Sequence, residues 1–151
     1  TVCIISRYEW KRLADLQLDL ARDLPYIYGS RDELHQVLLN LIVNSAQAIG
    51  EKIAAGVYRR GSIRISSRAA GDRIEIEIAD DGPGITPENL TRIFEPHFTT
   101  KPAGKGTGLG LSLVRKIVEE AHGGEIIVNS ELQRGVTFRI LLPHRRNEKD
   151  L

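Results

Sequence analysis

Asn40 and Asn44 stand four residues apart in "QVLLNLIVNSAQAI", Asp80 and Asp81 open "DDGPGI", and glycines 104, 106, 108 and 110 alternate through "HFTTKPAGKGTGLGLS". Each group has a chemistry. Two amides at that spacing share a helix face, and their oxygens suit a hard cation that takes oxygen ligands and holds phosphates. Gln36 and Gln47 extend the stripe. A carboxylate such as Asp80 at a strand end accepts from an exocyclic amine, while Gly82 and Gly84 let a planar ring approach the backbone closely. Such a site prefers adenine to guanine, which carries a carbonyl at that position. Glycine N–H groups leading into a helix form an anion cradle. Lys101 and Lys105 add charge to it, and Thr99, Thr100 and Thr107 add hydroxyls.

Plainer readings exist for each piece. The amide stripe is also what an exposed helix face looks like, although asparagine is a poor mid-helix residue. Asp, Gly and Pro make ordinary turns. The glycine-rich stretch is neither a Walker loop, whose register it lacks, nor a dinucleotide fingerprint, since no strand immediately precedes it.

These groups need elements to hold them. Leu16, Leu18 and Leu20 alternate as in a half-buried strand that Leu24-Pro25 ends. Asp32 is placed to cap a helix through about Ile49, with Leu34, Val37, Leu38, Leu41, Ser45 and Ile49 recurring three and four apart. "SIRISSRA" and "DRIEIEIAD" alternate strictly around Ala70-Gly71, which predicts an antiparallel pair. Thr86 and Pro87 start a short helix. A second long helix is expected from about Leu109 to Ala121, burying Leu113, Val114, Ile117, Val118 and Ala121, and stopped by His122-Gly123-Gly124. Two last strands flank Gln133-Arg134-Gly135. The expected fold is α+β: a two-layer α/β sandwich with a mixed sheet of about five strands covered by helices on one face.

Composition narrows the partners. At 151 residues with 41% apolar content, one compact domain is expected. Twenty-one basic against 20 acidic residues give a net charge of +1, too little to draw in nucleic acid or an anionic membrane. One cysteine, Cys3, makes no internal disulfide, which fits a reducing, cytoplasmic setting. No apolar run approaches the roughly 20 residues that span a bilayer, so no direct membrane contact is expected, whether or not a parent protein is anchored.

The chain resembles the catalytic and ATP-binding domain of sensor histidine kinases, in the superfamily shared with gyrase, heat-shock chaperone and mismatch-repair ATPases. The boxes that carry the resemblance are "DELHQVLLNLIVNSAQAI", "DDGPGI", "RIFEPHFTTK", "GKGTGLGLSLV" and "GVTFRILLP", in order across residues 12 to 143. The resemblance implies a Bergerat-type fold with ATP and magnesium as cofactors. It implies that Asn44 is the magnesium ligand and that Asn40 orients water or phosphate beside it. Some relatives hold a glutamate base at the place of Asn40, so an asparagine there argues against direct hydrolysis. Asp80 matches the adenine-reading carboxylate, with Gly82, Gly84 and Ile85 at the ring. Phe94 and Phe98 match the root of a lid over about Thr99 to Thr107. Gly106, Gly108 and Gly110, with Leu109 and Leu111 between and after them, match the phosphate turn, and Thr137 a water network around adenine. Where many members carry Lys or Arg after the second asparagine, Gln47 stands here, which gives Lys101 or Lys105 more of the phosphate work and puts Lys101 beside Asn40 in the catalytic set.

A histidine kinase also needs an acceptor histidine, usually followed by an acidic residue. His35, His97, His122 and His144 lack that context. The resemblance therefore implies a phosphoryl-donor half, with residues 1–11 leading from a separate dimerisation and histidine phosphotransfer domain and 144–151 a polar tail. It also implies a homodimeric parent and a downstream response regulator. A serine-directed anti-sigma-type kinase, an ATP-gated clamp and a non-transferring ATP sensor are the competing readings.

Overall fold

The computed structural model describes residues 2–5, 7–100 and 110–144. Two short helices, α1 (Val2–Ile5) and α2 (Arg7–Trp10), precede strand β1 (Ala14–Leu20). Helix α3 (Arg31–Ala54) crosses over to β2 (Gly61–Ala70), which turns into β3 (Arg73–Asp80). After α4 (Pro87–Leu90) and α5 (Gly110–Arg115), a π-helical stretch over Lys116–Ala121 leads to the hairpin β4 (Glu125–Glu131) and β5 (Gly135–Pro143). The sheet order is β1-β2-β3-β5-β4, parallel only between β1 and β2. The expected mixed five-strand sheet with helices on one face is what forms.

Period-two alternation sets the two faces. Ile78, Val136, Phe138, Ile140 and Leu142 are buried beneath Val37, Leu41, Ile42, Ile49, Val114 and Val118 of the helices. The opposite face is polar, and Glu75 is nearly covered there between Arg68 and Arg139.

Several local expectations shift. The α3 cap is Ser30, whose Oγ accepts from Glu33 N at 3.3 Å, while Asp32 lies inside the first turn. A shorter hydroxyl at the true boundary satisfies an otherwise orphan amide. The helix also runs past Ile49 to Ala54. Leu18 and Leu20 are about half exposed, because they extend along an edge strand beyond the helical cover. Leu113 and Ala121 are exposed. The wider i→i+5 pitch after Arg115 turns the far end of the helix, and His122 takes the buried place expected for Ala121.

His122 secures that register. Its Nε2 accepts from Ser30 N at 3.1 Å and its Nδ1 lies 2.8 Å from the Ile117 carbonyl. The pair of partners sets the neutral tautomer, with the proton on Nδ1. A Cβ on Gly29 would run into the ring. Thus the end of the π-helical stretch is stapled to the start of α3. His144, expected in the tail, binds back to the Gly71 carbonyl at 3.0 Å.

Candidate functional site

Helix α3 carries the site along its length. Asn40 lies toward one end, Ser45 and Ala48 in the middle, and Lys52 in the last turn; from Asn40 to Lys52 the axis rises roughly 18 Å. At the Asn40 end, the side-chain Oδ1 accepts from Gln36 Nε2 at 3.0 Å and Nδ2 donates to the Gly110 carbonyl at 3.4 Å. The contact joins α3 to the first residue of α5. An open cleft of about 670 Å³ lies here, lined among others by Gln36, Asn40, Phe94, Gly110, Leu113 and Lys116. Phe94 and Phe98 pack against the core, with the Arg115 guanidinium 5.4 Å from one ring and that of Arg92 4.6 Å from the other.

The other end is built around Asp80. This residue closes β3 opposite Val136 and is 9% exposed. Its Oδ1 accepts from Gly82 N at 2.9 Å. Burial pushes its carboxyl up from 3.8 to about 6, partly offset by the Gly82 N–H, the Ser45 hydroxyl and the Val136 N–H, while the Asp81 charge adds to the rise. The Ser45 Oγ is itself fully buried, and no partner meets hydrogen-bond geometry. Its orientation toward Asp80 thus eases the carboxylate without closing a bond, and it leaves an unspent polar group at the pocket wall.

Asp81, one residue on, does structural work. Its Oδ1 accepts from Ser62 N at 2.8 Å and from the Tyr58 hydroxyl at 3.1 Å. Burial first, then the Asp81 charge, raises the Tyr58 phenol well above its ordinary value. Gly82 is buried against Ala48, and a Cβ there would sit 2.9 Å from Asp80 Oδ1 and 3.0 Å from Ala48 Cβ. Gly84 has φ 79° and lies flat against the backbone at Glu131, so that only glycine fits. Ile85 N donates to Ser130 Oγ at 2.7 Å, and Gln133 N to the Pro83 carbonyl at 2.7 Å. The turn is therefore tied to the β4–β5 hairpin.

Among the sequence-predicted residues, α3 brings Asn40, Asn44 and Gln47 along one helix, with Asp80 and Gly82 beside its Ser45 and Ala48 turns and Gly84 and Ile85 against the β4–β5 hairpin. Gly110 and Leu111 begin α5. Thr99 and Thr100 are exposed after Phe98. Lys101, Lys105, Gly106, Thr107, Gly108 and Leu109 lie outside the described residues. Thr137 is not brought to Asp80: it pairs with Ala79 on the polar face with Arg139, whereas Val136 shares the Asp80 face. The signal was in the sequence, since Val136, Phe138, Ile140 and Leu142 form the apolar set of β5 and fix Thr137 on the other side.

Sequence reasoning missed Lys52, Tyr58, Asp81 and Gln133. Lys52 is buried, and its Nζ donates to the carbonyls of Gln133, Asp81 and Gly82 at 2.8, 3.0 and 3.4 Å. One signal could have found it: a lysine continuing the buried stripe Leu41, Ser45, Ile49 at helical spacing needs an internal partner.

A nucleotide with magnesium fits these residues. Asp80 is a buried acceptor at a strand end, and the Asn40 end opens into the cleft. Among the described residues no group of three His, Cys, Asp or Glu could hold a metal. The donor set here is amide oxygens, which suit an ion that shares its shell with phosphate and water.

Comparison with known proteins places these features in a family. The family described as "Histidine kinase-, DNA gyrase B-, and HSP90-like ATPase" matches residues 29–146. The sensor histidine kinase ZraS of Escherichia coli (strain K12) is 40% identical over 147 residues, covering 97% of this chain and 29% of that protein. The nucleotide-free catalytic domain of histidine kinase ThkA superposes with a TM-score of 0.78 at 31% identity, over 95% of this chain and 88% of that one. Full-length ShkA, solved in complex with AMPPNP, gives 0.74 at 26% identity, over 94% of this chain and 29% of that one. The chain thus spans under a third of ZraS.

Proposed function

The chain belongs to the histidine kinase-, DNA gyrase B- and HSP90-like ATPases, as a histidine kinase catalytic and ATP-binding domain, and from that premise we propose that it binds magnesium-ATP and donates the γ-phosphoryl group to a histidine carried by a separate dimerisation domain. The observation that carries the adenine part is Asp80, a buried carboxylate at a strand end whose own turn, packed closely through Gly82 and Gly84, occupies Oδ1. The AMPPNP bound by ShkA supports the nucleotide class.

The roles follow the geometry. Asp80 accepts from the base amine, and Ile85 and Gly84 line the ring. Asn44 would hold magnesium through its amide oxygen, and the ion would supply neutralisation of phosphate charge. Asn40, held by Gln36 and Gly110, fixes the start of α5 relative to α3. Lys101 and Lys105 add charge at the phosphates. In the transfer, the bond from the γ-phosphorus to the bridging oxygen breaks, a phosphorus–nitrogen bond forms on the acceptor imidazole, and ADP leaves. Positioning and charge neutralisation supply most of such catalysis, so the donor domain needs no nucleophile of its own.

The histidines support an acceptor elsewhere. His122 has both ring nitrogens engaged and is buried, and His144 is bound to the β2–β3 turn. His35 lies on α3, and His97 is a loop residue with φ 65°. On this reading a parent protein is a homodimer, its phosphate passes to a response regulator, and this domain works in the cytoplasm, where ATP is.

Calorimetric titration of ATP, ADP and GTP with and without magnesium tests the binding step. Addition of a separately made histidine-bearing hairpin tests transfer. Adenine-selective, magnesium-dependent binding followed by acid-labile phosphate on the hairpin is the expected result. Acid-stable phosphate on a serine would point to the anti-sigma-type reading, and binding without transfer to a sensor.

A further inference from the structure

Among the described residues, Lys52 is the only buried lysine or arginine. No carboxylate comes within ion-pair distance of it in that set. Its three ammonium donors are spent instead on three backbone carbonyls, those of Asp81, Gly82 and Gln133, with the Tyr58 ring centroid 5.0 Å away. A buried cation is costly to desolvate, and an apolar side chain continuing the α3 stripe would fill the same place. Carbonyl dipoles and a ring face compensate part of that cost. What the charge gains for the fold is the orientation of specific peptide planes.

One of those planes matters most. The Asp81 carbonyl and the Gly82 N–H belong to the same trans peptide unit, in which the two groups point in opposite directions. Lys52 Nζ holds the carbonyl at 3.0 Å, the Tyr58 hydroxyl approaches it at 3.1 Å, and the N–H on the far side donates to Asp80 Oδ1 at 2.9 Å. The next carbonyl, of Gly82, is held by the same ammonium at 3.4 Å. Gly82 has no Cβ to resist a flip of this unit, so an external grip is required. The third bond, to Gln133, ties the turn to the β4–β5 hairpin.

We propose that Lys52 is the positioning residue of base recognition: by fixing the Asp81–Gly82 peptide it sets the rotation of the Asp80 carboxylate and so the preference for an amino-bearing purine. When the grip is lost, the peptide can turn its carbonyl toward Asp80, the carboxylate loses its internal donor, and the distinction between an amine and a carbonyl on the base weakens. Lys52 acts through Asp80 and touches no nucleotide atom in this scheme. For one of its two readouts the proposal rests on the nucleotide reading above.

The test uses the full 151-residue chain with Lys52→Met and Lys52→Arg. Titration gives the ratio of GTP to ATP dissociation constants and the fold-gain from magnesium; amide hydrogen exchange compares Gly82 with Ile76, which sits in the middle of β3. In Lys52→Met the ratio is expected to fall at least tenfold while the magnesium gain stays within twofold, and Gly82 exchange accelerates well beyond that of Ile76. A folded Lys52→Met with wild-type discrimination, or with Gly82 and Ile76 accelerating together, overturns the proposal and leaves Lys52 a general stabiliser. If Lys52→Met does not fold, Lys52→Arg decides. Its planar head cannot meet three carbonyls from one point, so a threefold or larger loss of discrimination supports the proposal and unchanged discrimination refutes it. Should the wild-type chain bind no nucleotide, the functional reading fails separately, and the exchange comparison alone judges Lys52.

Discussion

Around Asp80 the fold supplies a continuous set of hydrogen bonds, from Gly82 on the carboxylate to Lys52 on three carbonyls and Tyr58 and Ser62 on Asp81, whereas around Asn40 it supplies one amide contact at 3.0 Å and one at 3.4 Å. The first region is also buried against Ala48 and the β4–β5 hairpin, and the second borders an open cleft. On the proposed reading, base recognition is built from core parts and phosphate recognition from surface parts. A substitution that changes the packing at the base end should disturb folding and binding together; one at the phosphate end should disturb binding alone.

The largest expected effect is Asp80→Asn on ATP. Losing a charge-assisted bond of about 1.5 to 3 kcal/mol should weaken binding on the order of 100-fold, without lowering the thermal midpoint at neutral pH; unchanged affinity would move base reading elsewhere. The same residue gives the next test. Its folded carboxyl sits at about 6 against 3.8 unfolded. Because the folded value is raised, the stability it contributes is complete below about pH 4 and lost as pH rises through 6. Roughly two units at about 1.4 kcal/mol each give about 3 kcal/mol. Urea unfolding from pH 4 to 8 should show wild type losing ground to Asp80→Asn across that window, and parallel curves would mean the carboxylate is not desolvated.

Gly82→Ala crowds Asp80 Oδ1 and Ala48. It should cost about 1 to 3 kcal/mol in urea unfolding and weaken ATP as well, which is the joint signature of the base end. Asn44→Ala should lower affinity about tenfold with magnesium present and leave magnesium-free binding and the melt unaltered. Smallest of all, Gln36→Ala removes an exposed bond to Asn40 and should shift stability by less than about 0.5 kcal/mol. A large destabilisation from either phosphate-end change would erase the contrast between the two regions.

Legibility in the sequence followed the same division. The strands, the Thr86–Pro87 start of α4 and the Gly71 and Gln133–Gly135 turns were visible because alternation, caps and positive-φ turns are local properties. Asp80, Gly82 and Gly84 were visible as a motif. Lys52 was passed over although its place on the buried stripe of α3 marks it as internal; its partners lie 29, 30 and 81 residues away, and the stripe does not name them. Ser30 was passed over for Asp32 because two capping residues stood close together, and only the path of the chain past His122 selects between them. Ala121 was misplaced because the expected pitch was held constant through a helix that changes it after Arg115, and Leu113 because it borders the open cleft.

That change of pitch makes the helix from Gly110 to Ala121 two rotors on one shaft. Its first half is phased by Asn40 and Val114, its second by His122 and Ile117. Removing one residue between 118 and 122 would restore a uniform α-helical pitch with Val114, Ile117, Val118 and His122 at i, i+3, i+4 and i+7, so His122 would stay on the buried face beside Ser30. The π-helical stretch therefore behaves as a phase spacer: it takes up one residue more than an α-helix would over the same turn, while Val114, Ile117, Val118 and His122 stay on one buried face.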